Sequence, residues 1–315
     1  MYSFHSYPQT SSVLEVTIPI LLPIYVNMEK KEDKKETKTS QTDSGADTNI
    51  VTGEEAEHKD AATVKTDEHS DQEANGAVTG SEHRKEEGEI KVVYKFRDFN
   101  KFMVKAWEEV FKEHCGEDGR VEVSVGDIFK GAPAADALVS PANSYGFMDG
   151  GIDMVYTRHF GWQMQHRLQE VIRKEHDGEL LVGNAAIIPA YQEGQVDEEA
   201  KDEMYNEGQP IKYLISAPTM RVPMEVDGTP NSYLAFRAVL LAVQKHNRRT
   251  DVEPIRSILC PGLGTAVGQM PKGRCARQML VAYETFVLGK CPERLKPQNL
   301  FHMVNDHDEL CFSQE

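Results

Sequence analysis

Between residues 29 and 90 the chain has no Phe, Trp or Tyr, and it sets nine Lys/Arg against eighteen Asp/Glu. Such a stretch cannot bury enough apolar surface to offset the entropy of ordering, so a disordered acidic low-complexity tail is expected there. Long unbroken apolar runs are also lacking. The nearest to one, VLEVTIPILLPIYV, lies in an apolar N-terminal segment, residues 1–28. Glu15, Pro19 and Pro23 break it, which excludes a membrane helix. No basic stretch precedes it as in a signal peptide, and Met28 is a second candidate start.

Cysteine is scarce. Cys115, Cys260, Cys275, Cys291 and Cys311 are odd in number and show neither CxxC nor zinc-finger spacing. That excludes a disulfide framework and points to reduced, buried, inert thiols in the cytoplasm or nucleus. The net charge of −16 argues against a basic face for duplex nucleic acid. No GK[ST] phosphate loop and no G-x-S-x-G nucleophile elbow occurs. His302 and His307 stand five apart with nothing nearby to complete a metal site, so neither metal nor cofactor is expected.

What remains, residues 91–315, is long enough for one core. Strand-like and helix-like segments alternate along it. Residues 90–96, 121–125, 136–140, 185–190, 211–218 and 255–262 read as strands; residues 99–114, 154–176 (with a break near Gly161), 232–246 and 275–289 read as helices. Residues 191–210 read as a polar excursion, and 299–310 as one more strand. This alternation predicts a three-layer α/β domain with a mixed, mostly parallel sheet.

Two glycine-rich loops leave strand carboxyl ends, SPANSYGFMDGGID after DALVS and PGLGTAVGQMP after SILC. In open α/β sheets, ligands sit beyond those ends, so both loops are expected at one edge. Glycine permits unusual φ and close backbone approach, and successive amides at such turns form anion nests. Asn143 offers a donor and an acceptor suited to ribose hydroxyls. Asp153 can orient a water or cap the helix that follows it. Asp127 can accept from an exocyclic amino group or close a turn.

GDI at 126–128, SPAN at 140–143, GGID at 150–153 and PGLGTAVGQMP at 261–271 together resemble the macro domain, the ADP-ribose-binding module, in order and spacing. The resemblance covers nearly all of residues 91–315 and implies a three-layer α/β/α macro-type fold. It implies that Asp127 binds the adenine amino group, supported by the Ile128 amide. Asn143 would contact the distal ribose, and Gly150, Gly151 and Ile152 would line the pyrophosphate. Asp153 would lie near the distal ribose and, with Asn143, serve catalysis in a hydrolase. Gly262, Leu263, Gly264, Thr265, Ala266, Val267 and Gly268 would wrap the ligand from the other side. The implied partner is ADP-ribose or an ADP-ribosylated protein, met by a monomer. The activity is removal of mono-ADP-ribose from proteins or processing of ADP-ribose metabolites; the alternatives are a non-catalytic reader and a related fold binding another nucleotide.

Three departures stand out. Asp149 puts a carboxylate where the pyrophosphate is expected. Gly268 aligns with the aromatic of the late loop. The glycohydrolase signature of the poly-ADP-ribose-cleaving relatives is absent. Tyr145 and Phe301 are the candidates for adenine stacking.

Overall fold

The computed structural model describes residues 90–116, 119–192 and 206–312. The acidic tail, the segment before it and most of the polar excursion lie outside these. Six strands form one sheet: β1 Val93–Asp98, β2 Val121–Val125, β3 Ala137–Ser140, β4 Ala186–Pro189, β5 Tyr213–Ser216 and β6 Ser257–Cys260. Their order across the sheet is β2-β1-β6-β3-β5-β4. Every pairing is parallel except that of β4 with β5. The helices are α1 Lys101–Val110, α2 Gly151–Phe160, α3 Gln163–Glu175, α4 Asn231–Asn247, α5 Lys272–Phe286, α6 Pro292–Leu295 and α7 Leu300–Phe312.

All four residues of β3 are buried, as a parallel strand covered on both faces requires. On one face α1, α4 and α5 pack through an aromatic cluster in which Phe96 stacks on Trp107 at 5.3 Å and meets Phe111 and Phe236 edge-on at 4.9 and 5.6 Å. On the other face Tyr156, Phe160, Met164, Leu168 and Ile172, from α2 and α3, cover Leu138, Leu214 and Leu259. The break between α2 and α3 falls at Gly161, whose φ of 81° suits glycine. The result is the three-layer α/β/α fold with a mixed, mostly parallel sheet. No described helix is long and apolar enough to cross a membrane.

The last segment departs from expectation. Residues 300–312 form a helix instead of a strand. Asn299 caps it, its Oδ1 accepting from the His302 amide at 3.0 Å. Leu300, Met303, Val304, His307, Leu310 and Cys311 recur at three-to-four spacing, a helical period that the intervening polar residues obscure. Leu310 and Cys311 are buried, and Gln278 Nε2 on α5 donates to the Leu310 carbonyl at 2.8 Å.

Candidate functional site

The strand registers bring the chemistry to one edge. Asp98 pairs with Val125, Phe96 with Cys260, Leu138 with Leu259, and Ser140 with Ser216, so five strands end together. The loops that leave them are cross-linked. The Gly262 amide donates to Asp98 Oδ2 at 3.1 Å, the Ser144 amide to the Arg221 carbonyl at 3.1 Å, and the Val226 amide to the Gly268 carbonyl at 2.8 Å.

The loop after β2 folds around Asp127. Its Oδ1 accepts from the Phe129 and Lys130 amides, each at 2.9 Å, closing an Asx turn. The residue is exposed, while the Ile128 side chain is core and leaves only backbone to the site.

In the loop after β3, Asn143 spends its side chain locally. Nδ2 donates to the Phe147 carbonyl at 2.8 Å, and Oδ1 accepts from the Tyr145 and Phe147 amides at 3.1 and 3.3 Å. The loop is held from outside as well. Tyr145 lies under the Arg221 guanidinium at 5.2 Å, and both reach Glu179. Gly146 has φ of 68°, and a Cβ there would meet Ile172 at 2.9 Å, so this turn approaches α3 as only glycine allows.

Gly150 and Gly151 face open space. Gly151 begins α2 with φ of 55°, and no side chain caps that helix end. The amides of Gly151, Ile152 and Asp153 therefore donate to nothing among the described residues. Asp153 points inward instead. It is only 8% exposed, and Ser140 Oγ donates to its Oδ1 at 2.6 Å. Burial pushes its carboxyl up to about 7; the Ser140 bond pulls it down and the charge of Asp149 adds to the rise. Next to it, Tyr156 donates to the Val139 carbonyl at 3.0 Å.

In the loop after β6, Leu263 is fully buried, and its carbonyl accepts from Ser232 and Cys275. Ala266 and Val267 are exposed. Gly262 and Gly268 are crowded. A Cβ at 268 would lie 2.5 Å from the Gly264 carbonyl, so the expected aromatic has no room there. The amides of Leu263, Gly264, Thr265, Ala266, Val267 and Gly268 have no acceptor among the described residues.

The structure thus brings Asp127, the α2 amides and the 263–268 amides to a common edge, but Asn143 spends its side chain on its own loop and Asp153 is turned inward. Of the two stacking candidates, Tyr145 is taken by Arg221, and Phe301 stands 71% exposed on α7. Sequence reading missed Arg97 and Ser140, which act through contacts distant in the chain and carry no local signature. Cys260 and Cys275 are fully buried, with the Cys275 thiol pushed up to about 12 by burial, whereas Cys115 is exposed.

A concavity of about 540 Å³ lies between α1 and the start of α5, and Pro271 is the one residue of these loops that lines it. Two of its cations are paired, Lys105 with Glu109 at 3.6 Å and Arg277 with Glu309 at 3.3 Å.

The family model described as the macro domain matches residues 139–197, which run from the end of β3 through the Gly150-Gly151 loop, α2, α3 and β4. An uncharacterized protein of Aquifex aeolicus (strain VF5) is 30% identical over 161 residues, 51% of this chain and 79% of that relative. The chain belongs to the macro domain family. Among solved structures it is similar to the macrodomain of Mycobacterium tuberculosis DarG, at 18% identity and TM-score 0.39 over 51% of this chain and 88% of that one. It is also similar to the Oceanobacillus iheyensis macrodomain with ADP, at 17% identity and TM-score 0.37 over 55% and 86%. Within this macro domain the family match covers the first glycine loop, and the second lies beside it on the adjacent strand β6.

Proposed function

We propose that this macro domain binds ADP-ribose, free or attached to a protein, across the edge where the loops after β2, β3 and β6 meet. One observation carries the reading: two runs of unspent backbone amides, at the start of α2 and along 263–268, flank the ends of β3 and β6. Amides so arranged hold a diphosphate without formal charge, and the N-terminal end of α2 adds its dipole. Asp127 keeps Oδ1 for its own turn and has Oδ2 to accept from the adenine amino group. The Ile128 amide assists. The backbone of Gly150, Gly151 and Ile152 faces one side of the diphosphate and that of Gly262 to Gly268 the other.

Within this reading the geometry favours a reader over a hydrolase. An attacking water needs a base within hydrogen-bond reach in open space. The Asn143 amide is engaged in its own loop, and the Asp153 carboxyl is buried against Ser140.

The test is calorimetric titration of the full chain with ADP-ribose, with AMP and ATP as controls and Asp127→Ala alongside. Micromolar binding, about −8 kcal/mol, is expected. Loss of one hydrogen bond to a charged group should weaken it by about 1.5–3 kcal/mol in Asp127→Ala. A wild-type chain that binds no ADP-ribose refutes the assignment. Release of ADP-ribose from a mono-ADP-ribosylated protein, abolished by Asp153→Asn, would overturn the preference for a reader.

A further inference from the structure

Arg97, at the end of β1, is the largest commitment of charge near the site that the sequence reading did not use. It is 7% exposed. Its guanidinium is turned into the loop after β2 and satisfied almost wholly by that loop. Nε donates to the Asp127 carbonyl at 2.6 Å, Nη1 to Ser124 Oγ at 3.0 Å, and Nη2 to the Gly131 and Lys130 carbonyls at 2.9 and 3.4 Å. All four acceptors are neutral. A buried cation without them would be strongly unfavourable, so the loop is obliged to keep its carbonyls turned inward. Burial lowers the Arg97 pKa, and the negative charge of Asp127 opposes that.

The glycine of the GD pair fits the same account. At Gly126, with φ of 149°, a Cβ would sit 2.3 Å from Arg97 Nη2. Glycine is required there because the guanidinium passes against the backbone. With the carbonyls of Asp127, Lys130 and Gly131 pinned inward, the Asp127 side chain is left outside the loop. Its Oδ1 then closes over the Phe129 and Lys130 amides.

We infer that Arg97 is a positioning residue for base recognition: it folds residues 126–131 from within so that Asp127 presents one carboxylate oxygen outward, to an exocyclic amino group. The role in recognition rests on the ADP-ribose reading; the folding of the loop does not. A lysine cannot replace the planar fork, because its single ammonium cannot span acceptors on both sides of the loop.

The experiment has two arms on the full chain, with Arg97→Met and Arg97→Lys. The first is hydrogen exchange at the Phe129 and Lys130 amides, which should quicken at least tenfold in Arg97→Met and by less in Arg97→Lys. Amides inside β1 and β2 that face each other across the ladder, such as Phe96 and Glu122, should stay protected. The second is binding of ADP-ribose and of its hypoxanthine counterpart, inosine diphosphate ribose. The wild type should prefer adenine, and the preference should fall toward unity in Arg97→Met. Unchanged exchange at Phe129 and Lys130 in both variants overturns the inference. So does faster exchange with adenine preference intact, which would leave Arg97 a purely structural residue. If Arg97→Met does not fold, Arg97→Lys decides both arms. If the wild type binds neither nucleotide, the recognition role falls with the ADP-ribose reading, and the exchange arm still decides whether Arg97 shapes the loop.

Discussion

Asp153 makes stability depend on pH in a direction opposite to that of most paired carboxylates. Unfolded, its carboxyl ionises near pH 4. Folded, it is buried against Ser140 and holds its proton to about pH 7. Between these limits the folded chain binds more protons than the unfolded one, so raising the pH favours unfolding. The contribution of Asp153 is fully present below about pH 4 and is lost as the pH rises through about 7. Each pH unit in that window costs about 1.4 kcal/mol, and the window is about three units wide, so the loss approaches about 4 kcal/mol. For a domain of this size that is roughly 8–16 °C in Tm. The assay is thermal unfolding of the wild type and of Asp153→Asn from pH 4 to pH 8. Other carboxylates affect both proteins alike, so the difference between the two curves isolates Asp153. The wild type should lose stability relative to Asp153→Asn as the pH rises. Ser140→Ala should move the window upward, because the Ser140 donor favours the charged form. Parallel curves for wild type and Asp153→Asn would refute the reasoning, since a carboxyl that titrates alike in both states cannot be the buried group described.

Two further outcomes follow from the loops. Gly268→Ala places a Cβ 2.5 Å from the Gly264 carbonyl and 2.7 Å from Val226 Cγ2, so it should destabilise by about 1–3 kcal/mol, read as a lowered denaturant midpoint. Asp149→Asn removes an exposed carboxylate from the diphosphate side of the loop, so ADP-ribose should bind roughly two- to fivefold more tightly at low salt, with the gain shrinking as salt rises. The same substitution should lower the titration midpoint of Asp153, whose rise the Asp149 charge promotes.

The parts of the fold that were legible in the sequence rest on local pattern. DALVS and SILC are short apolar runs closed by glycine-rich segments, and both became buried parallel strands with their loops at one edge. Residues 300–312 were misread because Asp306, Asp308 and Glu309, with His302 and Asn305, interrupt the periodic positions, so a helical period looks like a broken strand. Within the site, the glycines were legible but the side-chain directions were not. Nothing in SPANSYGF shows that the Asn143 side chain will hydrogen-bond to residues two and four positions on, and nothing in VYKFRD shows that Arg97 will reach residues 27 to 34 positions away. Such choices are set by which neighbours tertiary packing supplies.

An anion site in a chain of net charge −16 has to dispose of its own carboxylates, and the edge does so one at a time. Asp98 is consumed by two backbone amides, that of Asn100 at 2.8 Å and that of Gly262 at 3.1 Å. Asp127 gives one oxygen to its turn, and its charge is partly offset by the nearby Arg97 cation. Asp153 is withdrawn into the core and neutral below about pH 7. Of the four, Asp149 alone stands exposed without such a partner among the described residues. The donors left over are amides, whose dipoles attract a diphosphate at short range without raising the net charge of the surface. Such a site gains little from long-range steering, which acts through net charge and fades over about 10 Å at 0.1 M salt. Selectivity then depends on fit at the loops, and the geometry that Arg97 and glycine impose there matters more to recognition than the charge of the protein as a whole.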